Sequence, residues 1–349
     1  MNKMKKKINA GERIEWDEAL TLYRDADILA LGFLAHHIKT RLHPEKIITY
    51  IVDRNINYTN ICISKCRFCA FHRDTDSPEG YVLDAKTLHK KVEETLSLGG
   101  RQILLQGGLN PELSLEYYEE MLYGIKEKYP IWIHGFSPPE VVHLSTLSGL
   151  NIKEVLSRLI RSGLDSIPGG GAEILVNRAR KKVSPNKCTA AQWIEVMKIA
   201  HELGLRSTAT MMFGHIESLE ERVEHLFKIR DLQDKTSGFT AFILWPFQPG
   251  NTKLSTKKTT GIEYLRTLAI SRVVLDNIPN IQASWVTQGP KVAQVSLAFG
   301  ANDMGSTMIE ENVVAAAGVS FRLPEKEIVR LIENAGYKAA RRNMMYELI

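Results

Sequence analysis

A chain of 349 residues, 44% of them hydrophobic, is long enough to bury a large core as one α/β barrel or two smaller domains, and its four cysteines are too few for a disulfide-stapled fold. Its 45 basic and 40 acidic residues leave a net charge of +5, spread evenly apart from Lys3, Lys5, Lys6 and Lys7, which argues against a nucleic-acid partner. The basic start runs into Gly11-Glu12-Arg13-Ile14-Glu15, too polar for a signal-peptide core, and the apolar stretch 28–35 is too short to span a bilayer, so a soluble, cytoplasmic protein without membrane contact is expected.

In chain order, 16–43 reads as one or two helices, with Leu20, Leu22, Tyr23, Ile28, Leu29, Leu31 and Leu34 near helical spacing and His43-Pro44 ending the run. From Ile47 short β-rich runs alternate with helical stretches. Strands are expected at 48–57, 101–106, 131–135, 164–167, 206–212, 239–244, 281–285 and, weakly, 301–304. Helices are expected at 84–98, 114–128, 139–162, 189–203, 218–233, 260–277, 288–299 and 324–335, followed by an extended segment at 337–341. Eight parallel strands close a barrel, so the expected fold is a (β/α)8 TIM-type barrel over 47–305, with an N-terminal helical cap (1–46) and a C-terminal helical extension (306–349). The segment 306–312 (STMIEEN) reads either as a helix start capped by Ser306 or as a loop reaching a substrate.

Several expected strands run into Gly, Pro or His clusters: Gln106-Gly107-Gly108, 134–139 (HGFSPP), 167–171 (IPGGG), Phe213-Gly214-His215 and 245–251 (WPFQPGN). Five such loops in one topological position point to the C-terminal mouth of a barrel, where its chemistry sits. Cys62, Cys66 and Cys69 have C-x3-C-x2-C spacing directly after the first strand. Three thiolates on one loop suit three irons of a [4Fe-4S] cluster and leave the fourth iron open. A Cys3His zinc site including His72 is the competing arrangement, and a fully ligated carrier would need the distant Cys188.

The C-x3-C-x-F-C pattern after the first strand of a βα barrel resembles the signature of radical S-adenosylmethionine (SAM) enzymes. From about residue 11 onward the chain is similar to the futalosine branch of menaquinone biosynthesis, and 134–140 (HGFSPPE), 168–173 (PGGGAE), 245–252 (WPFQPGNT) and 282–289 (QASWVTQG) most resemble the cyclic dehypoxanthine futalosine synthases. Aminodeoxyfutalosine synthases share the cysteine loop and triple glycine but differ in the sixth-strand region.

The resemblance implies a [4Fe-4S] cluster on Cys62, Cys66 and Cys69 and SAM as cofactor. It implies Gln106, Gly107 and Gly108 receiving the methionine amine, Phe68 and 211–217 (MMFGHIE) near the adenine, and Glu173 near the ribose. It further implies dehypoxanthine futalosine as substrate: hydrogen is taken from ribose C4′, the carbon radical attacks the benzoate ring, and an electron and a proton are lost. Flavodoxin or ferredoxin would be the electron donor. His134, Ser137, Gln248, Asn251 and Ser284 are candidates to face the substrate, and His215 and Asp303 are candidate proton acceptors.

Overall fold

The structure is a computed structural model that describes residues 2–319 and 321–349. Among the described residues ten strands alternate with helices: β1 (Ile47–Ile51), β2 (Asp53–Asn57), β3 (Gln102–Gln106), β4 (Trp132–Gly135), β5 (Ser166–Ile167), β6 (Arg206–Phe213), β7 (Phe239–Pro246), β8 (Asn280–Gln282), β9 (Asp303–Ser306) and β10 (Lys338–Arg341). They form one parallel sheet in the order β10-β1-β9-β8-β7-β6-β5-β4-β3-β2.

Only Val52 separates β1 from β2, so the two ends of that order meet. Asp53 registers with Gln102 of β3 on one side, and its carbonyl accepts the Ile309 amide that follows β9 on the other (3.2 Å). With β1 and β2 counted as one strand, the eight-stranded barrel expected from the sequence is closed. The lower flank of that strand pairs with β10, from Ile47 with Lys338 to Tyr50 with Arg341. The chain end is therefore part of the sheet, and β9 crosses the expected 305/306 boundary.

Local signals explain the departures from expectation. The stretch 139–162 is two helices, Pro138–Ser148 and Ile152–Ser162, because Gly149 turns left-handed (φ 70°) and Asn151 caps the second by accepting the Glu154 amide. Such a cap stabilises a helix by about 1 kcal/mol. The N-terminal helices Trp16–Asp25 and Ile28–Leu42 break at Asp27, whose carboxylate accepts the amides of Leu29 and Ala30. Gly289 (φ 78°) before Pro290 kinks the helix Trp285–Ser296. Ser306 ends β9 and starts no helix; the next helix, Val313–Ala316, has Asn312 at its N-cap. Three helices were not expected, Asn2–Asn9, Asn177–Val183 and Val313–Ala316. Among the described residues no helix is long and apolar enough to cross a membrane.

Helices pack round the barrel through apolar stripes, as in Ile152–Ser162, which buries Val155, Leu156 and Leu159 at helical spacing. The N-terminal cap lies on helix Gly261–Val274: Tyr23 and Thr267 share a buried hydroxyl bond (2.7 Å), and a Cβ on Gly32 would lie 2.7 Å from the Phe299 ring. The loops at the C-terminal ends of the strands are thus carried on a rigid frame.

Candidate active site at the barrel mouth

β2 runs directly into the cysteine loop. Backbone bonds join the loop to its neighbours: the Cys62 amide to the Arg73 carbonyl (3.0 Å), Ile63 to Leu109 (3.0 Å), Arg67 to Val183 (2.8 Å) and Lys253 to Arg67 (2.8 Å). Lys65, at φ 46°, makes the turn. All four cysteines are free. Burial pushes the Cys62 thiol up and the Cys66 thiol up to about 11. Such thiols ionise readily only when a metal takes the sulfur.

A single zinc would need four donors within about 2.0–2.3 Å of one point. Among the described residues no three His, Cys, Asp or Glu side chains converge that way, and His72 turns Nδ1 to the Cys69 carbonyl (2.9 Å). A cluster takes each thiolate on a different iron, so its sulfurs need not converge on one point, and three thiols on one loop lining one cavity are the donor set it needs.

Beside the sulfurs opens a cavity of about 300 Å³ lined by the three cysteines, Phe68, Gly107, Gly108, Glu173 and Lys187, among others. A second cavity of about 300 Å³ descends into the barrel and shares Asn55, Gln106, Gly170, Trp245, Thr287, Val313 and Val314 with the first. The two form one stepped space between the cysteine loop and the barrel interior.

Glycines keep that space open. A Cβ on Gly108 would lie 2.1 Å from the Ile61 carbonyl oxygen, and on Gly170 2.5 Å from Gln106 Nε2. The first clash is with backbone, which cannot rotate away. Gly108→Ala is therefore expected to displace the cysteine loop, cost about 1–3 kcal/mol, and weaken binding of SAM by about fivefold or more, since 1.4 kcal/mol is a factor of ten. Thermal unfolding and titration of the reconstituted protein with SAM check both.

The Gln106–Gly108 turn is held by a residue outside the expected set. Glu140, 4% exposed, accepts the Gly107 amide (3.1 Å), the Ser137 amide (2.7 Å) and the hydroxyls of Ser137 and Tyr58 (both 2.5 Å). Burial raises its pKa, and four donors offset part of that cost. Ser137 does line the mouth cavity, with its hydroxyl committed to Glu140. Glu173, in a left-handed turn (φ 43°), accepts from Lys187 Nζ (3.0 Å) and Arg180 (3.4 Å). Lys187 Nζ also stands 5.1 Å from the centre of the Phe68 ring. Burial opposes its charge, yet the neighbouring Cys66 and Glu173 raise its pKa overall.

Phe68 and Gln248 line the mouth cavity, His134 and Ser284 the interior cavity, and Gln106 both. The buried Oδ1 of Asn55 and Oε1 of Gln248 have no protein partner, which marks positions for ligand donors. Three expected residues have other surroundings. His215 lines neither cavity: its Nδ1 receives the Ile216 amide (2.8 Å) beside Glu217 (3.0 Å), and its Nε2 is 3.2 Å from the Met212 carbonyl. Asp303 is bound by Arg342 (2.6 and 3.0 Å), Thr49 (2.6 Å) and the Gly305 amide (2.8 Å), which occupies its carboxylate. Asn251 donates to the Ala316 carbonyl (2.9 Å) and ties its loop to helix Val313–Ala316. Cys188 also lies off both cavities, its carbonyl held by Arg180 (2.6 Å).

The Radical SAM superfamily matches residues 56–229, and the CofH/MqnC C-terminal region matches 236–349. The cyclic dehypoxanthine futalosine synthase of Halalkalibacterium halodurans is 50% identical over 341 residues, 97% of this chain and 92% of that one. This chain belongs to the radical SAM superfamily, in the branch with the CofH/MqnC C-terminal region. The 5-amino-6-(D-ribitylamino)uracil–L-tyrosine 4-hydroxyphenyl transferase of Methanopyrus kandleri is 41% identical over 322 residues, 90% of this chain and 87% of that one. The crystal structure of a methylornithine synthase shares the fold, with a TM-score of 0.75 at 17% identity over 97% of both chains.

A [4Fe-4S] cluster and SAM are the cofactors of this radical SAM enzyme. The residues present fit them: three cysteines on one loop, a glycine wall that a side chain would fill, and an aromatic ring beside a buried acid-base pair. Sequence reasoning missed Glu140, Lys187, Arg180, Asp53 and Asn55 as parts of the site. For Asp53 and Asn55 a signal existed: Asp53, Asn55 and Asn57 recur every second residue along β2, which places polar groups on one face of a barrel strand. Lys187 and Arg180 carry no local signal.

Proposed function

We propose that this radical SAM enzyme is a cyclic dehypoxanthine futalosine synthase that closes a carbon-carbon bond between ribose C4′ and the benzoate ring of its substrate. The observation that carries this reading is 50% identity across nearly the whole of both chains. The bound cluster and SAM supply hydrogen-abstracting radical chemistry; the chain's own residues bind, orient and shield.

The stepped cavity is long enough in kind for a cofactor at the mouth and a nucleoside-like substrate below it. His134, 5% exposed, is a polar anchor on the inner wall. Its Nδ1 lies 2.7 Å from the Ser166 hydroxyl, which already accepts the Trp132 indole N–H (2.8 Å). That bond fixes the orientation of the imidazole on the cavity wall. Burial pushes the His134 pKa down to about 3, so the ring stays neutral. Val313 and Val314 cover both cavities, and their apolar side chains exclude water and competing hydrogen donors from a radical. A cytoplasmic enzyme served by flavodoxin or ferredoxin as one-electron donor completes the proposal.

The test is anaerobic reconstitution followed by incubation with dehypoxanthine futalosine, SAM and a reductant. A product lighter by two hydrogens is expected. Deoxyadenosine without that product overturns the substrate. The 41% identity to the Methanopyrus transferase favours a second reading, transfer of a hydroxyphenyl group, which 5-amino-6-(D-ribitylamino)uracil and tyrosine would reveal in the same assay.

A further inference from the structure

We propose that Asp53 is the proton acceptor of the cyclisation, an inference that rests on the substrate reading above. Five titratable side chains line the interior cavity: Asp53, His134, Glu311, Arg342 and Tyr346. Four of them are committed or in the wrong form. His134 has Nδ1 engaged by the Ser166 hydroxyl (2.7 Å), and burial pushes its pKa down to about 3, so it is a weak base. The Glu311 carboxylate accepts the amides of Val313, Val314 and Ala315 (2.9–3.0 Å) at the start of their helix. Arg342 is bound to Asp303, and burial keeps the Tyr346 phenol protonated.

Asp53 is different. It is 7% exposed, stands at the start of β2 and lines the cavity. One carboxylate oxygen accepts the Ser306 hydroxyl and the other the Gln102 amide (2.5 Å), and no cation touches it. Two donors leave the carboxylate two further lone-pair positions on a side chain that lines the cavity. A buried carboxylate with that capacity and no direct ion pair is a stronger base than one in water: burial raises its pKa above the usual carboxylate range, and Arg342, acting at a distance, offsets only part of that.

The step balances without a redox partner. Once the ribose carbon has bonded to the ring, the C–H bond at that ring carbon breaks heterolytically. Its electron pair remains in the ring, giving a radical anion, and the proton passes to Asp53 Oδ. The radical anion would then give up its surplus electron to a one-electron acceptor, the oxidised iron-sulfur cluster, in a step that Asp53 does not touch.

The groups that face Asp53 set its titration: Ser306 and Asp303 on β9, Gln102 on β3, His134 on β4 and Arg342 next to β10. The anion is the active form, so kcat is expected to fall as pH drops through the raised pKa. Ser306 donates to the anion, so Ser306→Ala should raise that pKa and move the acid limb to higher pH.

The test uses the reconstituted full chain. Asp53→Asn is expected to lower kcat for cyclised product by about 10²- to 10⁴-fold, the span of general base catalysis. KM should change little and deoxyadenosine should still form. Ser306→Ala leaves the carboxylate in place and carries the test where Asp53→Asn fails to fold. Cyclisation by Asp53→Asn at the wild-type kcat, a loss confined to KM, or an unmoved acid limb in Ser306→Ala would each overturn the assignment. Wild-type enzyme that yields no cyclised product overturns instead the substrate reading beneath it.

Discussion

Replacing any one of Cys62, Cys66 and Cys69 by alanine is expected to abolish turnover and leave the barrel folded. A [4Fe-4S] cluster with one open iron needs all three protein thiolates, so two cannot hold it with the same geometry. The loop itself is kept in place by backbone bonds to Arg73, Leu109, Val183 and Lys253, none of which uses a sulfur. Cys66, 5% exposed, contributes to packing as a small apolar side chain, and its truncation costs about 1 kcal/mol, the usual size of a point-mutation effect. Loss of the brown absorbance and of iron after anaerobic reconstitution, with a nearly unchanged unfolding midpoint, is the expected pair of results. Cys188→Ala, off both cavities, should keep the cluster. A variant of the trio that retains cluster and turnover would sink the assignment, and stoichiometric zinc in the wild type would replace it with a structural site.

Arg342→Met is expected to destabilise the protein by about 3–5 kcal/mol, the cost of leaving a buried charge without its partner. Asp303 is fully buried and Arg342 is 3% exposed, and their paired bonds sit between β9 and the chain just beyond β10. Thr49 of β1 donates to the same carboxylate (2.6 Å), so one buried pair joins three neighbouring strands. Removing the guanidinium strands the carboxylate where water cannot reach it. The paired replacement Arg342→Met with Asp303→Leu should recover most of the loss, because apolar groups of similar volume need no partner. Denaturant unfolding of the two variants beside the wild type measures both effects. Equal destabilisation in single and double variants would show that packing, and not the charge, carries the pair.

Much of this was legible in the linear chain. Cys62, Cys66 and Cys69 stand within eight positions on one loop, so their shared role is a matter of short spacing. Gln106-Gly107-Gly108 and the 168–171 run announce close approach of the backbone, and added Cβ atoms at Gly107, Gly108, Gly169 and Gly170 would all meet neighbours within 2.6 Å. Strand-helix alternation foretold the barrel, since each βα unit returns the chain in the same direction. His215 and Asp303 misled because a polar residue at the end of a strand reads the same whether it faces a cavity or is bonded within the protein. The Ile216 amide and the Met212 carbonyl flank the first and Arg342 pairs with the second, and Arg342 lies 39 positions along the chain from Asp303.

The sequence alone determined the strands, the cysteine loop, the glycine turns and most helix ends, because each depends on residues within a few positions of one another. Tertiary structure decided which residues share the cavity. Closure at Val52 sets Asp53 between β3 and β9, the chain end supplies β10 and Arg342, and helix Val313–Ala316 covers the mouth. Those neighbours meet through hydrogen-bond registers that span most of the chain, and no local pattern encodes a register between segments so far apart.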